Sequence, residues 1–184
     1  MGSGADETRI DADFVRVARA LRLRGGLRSI GLVPTTARTD LAPVVLGLGV
    51  ALAGQTGAVV AVVDATGVFA GLGDASSEPE EEATAFASIR WLHPSVSLLS
   101  PKTAASAHTR LHVLEHLLDA FESRYAHVLV DLSGFDQTGD LLGAVRRVSG
   151  TVLVGRAGRT SERDLGARAA QIPEDRRVGV LLIS

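Results

Sequence analysis

The sequence predicts a three-layer α/β sandwich, with helices on both faces of a mostly parallel sheet. Three observations carry this. Short, uninterrupted apolar runs, Ala58 to Val63 and Val128-Leu129-Val130, each end in an aspartate, Asp64 and Asp131. Strands buried on both faces read in this way. Stretches with apolar residues at helical spacing alternate with these runs, the pattern of a parallel sheet joined by crossover helices. At 184 residues, 46% hydrophobic and 22% charged, the chain suits one domain with a sizeable core.

Taken in order, residues 1–10 are expected to lie outside the fold, as disordered chain or a tag remnant, and 1–184 is read as a single domain. Phe14, Val17, Ala18 and Leu21 mark a helix over 11–24, with Arg16, Arg19 and Arg22 on another stripe and Gly25-Gly26 ending it. Ile30 to Val33 is a buried strand followed by a polar loop, Pro34 to Asp40. Leu41, Val44, Val45, Leu48 and Leu52 then form a stripe expected to face a sheet, with Asp40 as N-cap and Pro43 in the tolerant first turn. After Asp64, residues 66–90 read as loop with a short helix, including the acidic run Glu78 to Glu82, a solvated segment. Val96 to Leu99 is a strand, and Leu111, Leu114, Leu118 and Phe121 mark a helix reaching about Tyr125, which is expected to enter the next strand. A helix over 141–148, a strand at 152–154, a polar helix over 161–171 and a last strand, Val178 to Ile183, complete the alternation.

Composition excludes several functions. A net charge of -2 gives no general attraction to nucleic acid or anionic membrane, and no apolar run approaches a membrane span. The absence of cysteine excludes disulfides and thiolate metal sites and fits a reducing, cytoplasmic setting. Of 19 basic residues only Lys102 is lysine.

Ligands of open parallel sheets sit where strand carboxyl ends lead into helices. Here that place holds Gly31-Leu32-Val33-Pro34-Thr35-Thr36-Ala37-Arg38-Thr39-Asp40-Leu41-Ala42. With Asp64 and Asp131, this strand–loop–helix resembles the ParA/MinD-like P-loop ATPases, a P-loop NTPase-like fold. The subgroup it is most similar to is the bacterial tyrosine kinase domain of capsular and exopolysaccharide biosynthesis. Asp13-x-x-Arg16-x-x-Arg19, Leu27 to Ile30, Tyr125 to Asp131, Val154 to Thr160 and Val178 to Leu181 extend the likeness over about 150 residues.

A working phosphate loop needs glycines that let backbone N–H groups wrap the phosphates, a lysine, and a Ser/Thr for Mg²⁺. Leu41 falls where the resemblance places the lysine, Ala42 where it places the hydroxyl, and no glycine lies between Pro34 and Asp40. Asp40 would occupy helix donors and repel an anion. The degenerate loop Thr35, Thr36, Arg38, Thr39, Asp40 is therefore expected to hold no nucleotide. Asp64 and Asp131, whose counterparts in the family serve the attacking hydroxyl and Mg²⁺, become vestigial turn-capping acids. Asp131-x-x-Gly134 also matches a GTPase switch, but the Asn-Lys-x-Asp guanine motif cannot exist with Lys102 as the sole lysine. The family's phosphorylated tyrosine cluster is missing, since Tyr125 is the sole tyrosine.

The resemblance then implies a non-catalytic pseudo-ATPase or pseudokinase, a regulator or scaffold in polysaccharide synthesis or export. Its expected partner is a membrane-embedded polysaccharide co-polymerase, which would recruit a cytoplasmic chain to the inner membrane. Asp13, Arg16 and Arg19 keep the spacing by which the family's kinase domains form rings, so a homo-oligomer is expected there. No cofactor is expected. Two alternatives stand beside this: an ATPase with an unconventional loop, using Arg38 for charge and Asp64/Asp131 for Mg²⁺ with ATP, and a ParA/MinD-like positioning module. His108, His112 and His116 recur at i, i+4 and i+8, a spacing that can chelate a metal, but with only Glu115 nearby they are read as a solvated face and no metal is expected. Arg146, Arg147, Arg156 and Arg159 are placed near the carboxyl edge, mostly in ordinary pairings. Trp91 is taken as a core or loop-anchoring aromatic.

Overall fold

A computed structural model describes residues 12–37, 39–65, 87–101, 109–136 and 139–183. Arg38, Thr66, Glu78 to Glu82, Lys102 and His108 lie outside these. The elements are α1 (Ala12–Arg24), β1 (Ser29–Pro34), α2 (Ala42–Thr56), β2 (Val60–Val63), β3 (Ala87–His93) and β4 (Val96–Pro101). They continue with α3 (Arg110–Phe121), β5 (His127–Asp131), α4 (Leu141–Arg147), β6 (Gly150–Arg156), α5 (Glu162–Ala170) and β7 (Arg177–Ile183). Short 3₁₀ turns at Ser133–Phe135 and Glu174–Arg176 complete the described chain.

The seven strands form one sheet in the order β3-β4-β2-β5-β1-β6-β7. All neighbours run parallel except β3 with β4. Alternation along the buried strands sends side chains to two separate cores. Ile30, Leu32, Val62, Leu129 and Val152 join α1 and α2 on one face. Val33, Val63, Val130 and Leu153 join α3 and α4 on the other, where Phe121 and Phe135 are fully buried. The expected three-layer sandwich is the one observed.

Several boundaries differ from the sequence reading, each for a physical reason. Residues 87–90 are strand rather than loop. β3 pairs antiparallel with β4, Ser88 with Ser100 and Ile89 with Leu99, and a register shift between Trp91 and His93 bends its end. Trp91 thus lies half-buried on an edge strand. The helix expected to reach Tyr125 stops at Phe121, and Tyr125 precedes β5 instead of entering it, half-buried with its ring 6.5 Å from that of Phe121. Helix α2 buries far more than a stripe: Gly49, Val50, Ala51 and Ala53 are covered as well as Val44, Val45, Leu48 and Leu52. A helix apolar all round must be covered on both sides. The sheet covers one side of α2, and α1 crosses the other with Ala18 and Leu21 buried and Phe14 packed in. At Gly47 a Cβ would stand 2.6 Å from the Phe14 ring, so glycine there sets how closely the two helices approach.

Helix α5 buries no residue and is held at its start by a capping box. Ser161 Oγ accepts from Asp164 N at 3.1 Å while Ser161 N donates to Asp164 Oδ2 at 3.3 Å. An N-cap of this kind contributes about 1 kcal/mol. Among the described residues no helix is long and apolar enough to cross a membrane.

Candidate functional site

Strand β1 is an interior strand next to the central β5, with β6 on its other side, so its carboxyl end delivers the 35–41 loop to the interior of that edge. The loop is tied down by its own polar groups. Thr35 N donates to Val154 O at 2.8 Å, and Thr35 Oγ1 shares a 3.2 Å hydrogen bond with Thr160 Oγ1 from the β6–α5 turn. Thr160 Oγ1 in turn accepts from Arg156 N at 2.8 Å. Thr36 and Thr39 close a turn, Thr39 N donating to Thr36 O at 3.1 Å with the two hydroxyls 3.2 Å apart. Gly155 makes room for this arrangement, since a Cβ there would meet Thr160 Oγ1 at 2.9 Å.

Asp40 is not the N-cap of α2. Leu41 holds that position, and Asp40 lies one residue before it. The carboxylate still takes a helix donor: Ala42 N donates to Asp40 Oδ1 at 3.0 Å. The next residue, Pro43, has no N–H to give. Leu41 O accepts from Val45 N, opening the helix, while the Leu41 side chain is 2% exposed and packs in the core shared by α1 and α2.

The register of β2 on β5 pairs Val63 with Val130, which places Asp64 and Asp131 side by side at the ends of adjacent strands. Both are buried, at 1% and 2% exposure. Asp64 N donates to Leu99 O at 3.0 Å. Asp131 Oδ1 accepts from Ser133 N at 2.7 Å. Burial pushes the Asp131 carboxyl above its ordinary range, the Ser133 hydrogen bonds pull it down, and the negative charges of Asp64 and Asp40 push it up again. Asp40, Asp64 and Asp131 thus share one electrostatic neighbourhood. The fold sets Asp40 and the two strand-end acids in one neighbourhood, with Thr35, Thr36 and Thr39 in the loop that follows β1; Arg38 of that loop lies outside the described residues.

Sequence reasoning missed three residues of this edge. Thr160 anchors the loop, Ser133 holds Asp131, and Arg110 reaches from the start of α3 to donate to Gly134 O at 3.1 Å. Their partners are far away in sequence or made by backbone atoms, and the stretches that contain Thr160 and Ser133 give no sign of these roles. Arg146 and Arg147 need correction. They close α4, which descends from the carboxyl edge, so they stand at the opposite end of the sheet from Arg156 and Arg159. Arg147 pairs there with Glu115. Asp13, Arg16 and Arg19 lie on the exposed side of α1, apart from the loop, with Arg16 Nη2 2.5 Å from Asp13 Oδ1.

An implied ATP with Mg²⁺ can be tested against these groups. A nucleotide's phosphates want free helix-start donors and a cation, and Mg²⁺ wants a hydroxyl beside its carboxylates. The described loop offers a carboxylate on the first helix donor, a proline next, a leucine turned into the core, and threonine hydroxyls engaged with one another. This set does not fit the phosphates.

No family model and no curated protein matches the sequence. Solved structures do match. The BceF tyrosine kinase domain aligns with a TM-score of 0.59 at 19% identity, over 92% of this chain and 73% of that one. The chimerical protein CapA2B2 aligns with a TM-score of 0.68 at 13% identity, over 92% and 82%. The kinase domain of the Escherichia coli tyrosine kinase ETK gives 0.61 at 16%, over 91% and 74%. The likeness is one of fold, and the chain has the P-loop NTPase-like fold of these tyrosine kinase domains.

Proposed function

We propose that the chain is a non-catalytic pseudo-ATPase or pseudokinase that acts as a regulator or scaffold in bacterial polysaccharide synthesis or export. The observation that carries this reading is the burial of Leu41 at the mouth of the loop, with the Asp40 carboxylate on the adjoining Ala42 N–H. Where an active loop presents a lysine to phosphate, the described part of this one places the Asp40 carboxylate on a helix donor and sends Leu41 into the core. The likeness in fold to tyrosine kinase domains supports the family reading from which the pathway is inferred, and the buried Leu41 beside Asp40 supports a role through binding. The partner in this reading is a membrane-embedded polysaccharide co-polymerase, which would bring the chain to the inner face of the membrane.

The test is calorimetric titration with ATP and with ADP, each with Mg²⁺, at high protein concentration. No heat and no thermal shift are expected. Binding at micromolar strength overturns the proposal. The buried neighbours Asp64 and Asp131 favour one competing reading, an unconventional Mg²⁺–ATP site, and that reading requires Mg²⁺-dependent binding that Asp131→Asn abolishes.

Assembly is the second part of the proposal. Asp13, Arg16 and Arg19 lie on the exposed side of α1, where guanidinium groups can reach carboxylates of a neighbouring copy. Within one chain the Asp13–Arg16 pair is exposed and contributes about 0–1 kcal/mol. The double variant Arg16→Glu, Arg19→Glu should therefore unfold within about 0.5 kcal/mol of the wild type. By sedimentation the wild type should form oligomers that the double variant loses. A monomeric wild type at high concentration removes this part of the proposal.

A further inference from the structure

Helix α3 turns two histidines outward on one face. His112 and His116 are both exposed, and their Nε2 atoms share a 2.8 Å hydrogen bond whose proton a bound metal ion would replace, with ring centroids at 4.2 Å and the planes nearly perpendicular. Residues i and i+4 lie one turn apart on the same helix face, so this convergence follows from backbone geometry and two matching rotamers. Read along the chain, the segment is His112-Val113-Leu114-Glu115-His116, with apolar Leu114 buried and the two imidazoles outside. Two histidines at this spacing present a pair of nitrogen donors that can close on one metal ion.

The surroundings favour Nε2 as the ligand atom. On the far side of the His112 ring, Nδ1 lies 3.8 Å from Glu115 Oε2. Glu115 is itself held by Arg147 from α4. A metal-ligating imidazole ordinarily turns its other nitrogen toward a carboxylate, which orients the ring and makes the ligand more basic. At 3.8 Å the carboxylate is not hydrogen-bonded to the ring here, and Glu115, anchored by a second helix, takes that positioning role once the ring moves several tenths of an ångström toward it. The sequence pattern alone favoured a solvated face because Glu115 was the sole acid near the row. The structure puts that acid behind the ring and the two Nε2 atoms together in front.

The geometry points to a surface site for a divalent ion of the Zn²⁺ class, ligated by His112 Nε2 and His116 Nε2, with Glu115 as the positioning carboxylate. Zn–N bonds of about 2.0–2.1 Å in a tetrahedron set ligand nitrogens ~3.3 Å apart, so binding asks the two exposed rings to open by about half an ångström. Imidazole suits Zn²⁺, Ni²⁺ and Cu²⁺ and does not suit Mg²⁺, which separates this face from the carboxylates of the sheet edge. Two protein ligands leave two tetrahedral positions for water or for donors of another molecule.

The site is tested on the full, untagged chain by calorimetry with Zn²⁺ and by NMR of the histidine ring signals. One equivalent of Zn²⁺ should bind, with the ring signals of His112 and His116 shifting and Mg²⁺ giving no such shift. His112→Ala and His116→Ala should each weaken binding by about tenfold or more, and both together should abolish it. Because both side chains are exposed, all three variants should keep the wild-type unfolding midpoint in the absence of metal. His93 and His127 are half-buried, their Nδ1 atoms 2.8 Å from Ser95 Oγ and Leu27 O, and serve as the internal control. Unchanged Zn²⁺ affinity in the double variant overturns the assignment, as does a wild type that fails to bind Zn²⁺ in the submillimolar range.

Discussion

Replacing Leu41 by lysine should destabilise the fold by about 3–5 kcal/mol, the cost of an uncompensated charge in a core, without creating ATP binding. The side chain at this position is 2% exposed and packs with Val44, Val45 and Leu48 against the sheet and α1. An ammonium kept there loses its hydration in return for no designed partner. A lysine that swings out toward Asp64 and Asp131 leaves the leucine's volume empty, and a vacated leucine site costs about 2–5 kcal/mol on its own. Both routes end in a less stable protein. Two controls fix the interpretation: Leu41→Ala should cost about 2–5 kcal/mol and Leu41→Met less than about 1.5 kcal/mol. Urea unfolding midpoints measure all three. A lysine variant within about 1 kcal/mol of wild type would mean that residue 41 can face the loop. The phosphate site would then be one substitution from use, contrary to the buried position seen here.

The legible and illegible parts of this molecule divide along one physical line. Strands buried on both faces announce themselves by composition alone, which is why β1, β2, β5 and β6 and their order of appearance could be read directly. The acids Asp64 and Asp131 could be read as strand ends, and parallel pairing then forces them together. What could not be read depends on a partner element. The strand character of 87–90 exists because β4 offers it an antiparallel edge, and its own alternation, Ile89 buried with Arg90 and Trp91 half-buried, is short and mixed. The full burial of α2 depends on α1 lying across it, which a stripe count along α2 cannot reveal. Arg146 and Arg147 stand away from the carboxyl edge because a helix of only 7 residues still carries the chain back down the sheet, which their place in the sequence does not show. At the site, Thr160 works through one hydroxyl and Ser133 through its hydroxyl and backbone N–H, and such contacts leave no periodic trace. The convergence of His112 and His116 was present in the spacing, but its weight came from Glu115 and Arg147, and the Arg147 contact joins two helices.

Asp131→Asn should stabilise the protein at neutral pH, by about 1–3 kcal/mol, the usual cost of an imperfectly compensated buried polar group. The carboxyl is 2% exposed, and burial is the largest influence on it, holding its pKa above the ordinary value. A pKa higher in the folded chain than in the unfolded one means that the native state binds the proton more tightly. That contribution to stability is complete below the unfolded value, about 3.9 for aspartate, and is lost as pH rises through the raised folded value. Asparagine does not titrate, so the gap between variant and wild type should open as pH climbs through the carboxylate range and then level off. The substitution is nearly isosteric, and its Oδ1 keeps the acceptor for Ser133 N, now 2.7 Å from Asp131 Oδ1. Its amide can also donate toward Asp64 in place of a second negative charge. Urea midpoints of both proteins, measured from pH 4 to pH 8, give the sign directly. A variant less stable than wild type throughout would show that the Asp131 charge is satisfied in the native state, and a cation held by Asp64 and Asp131 would become the better account of the edge. A stabilised variant with a widening gap identifies a buried acid kept at the cost of stability.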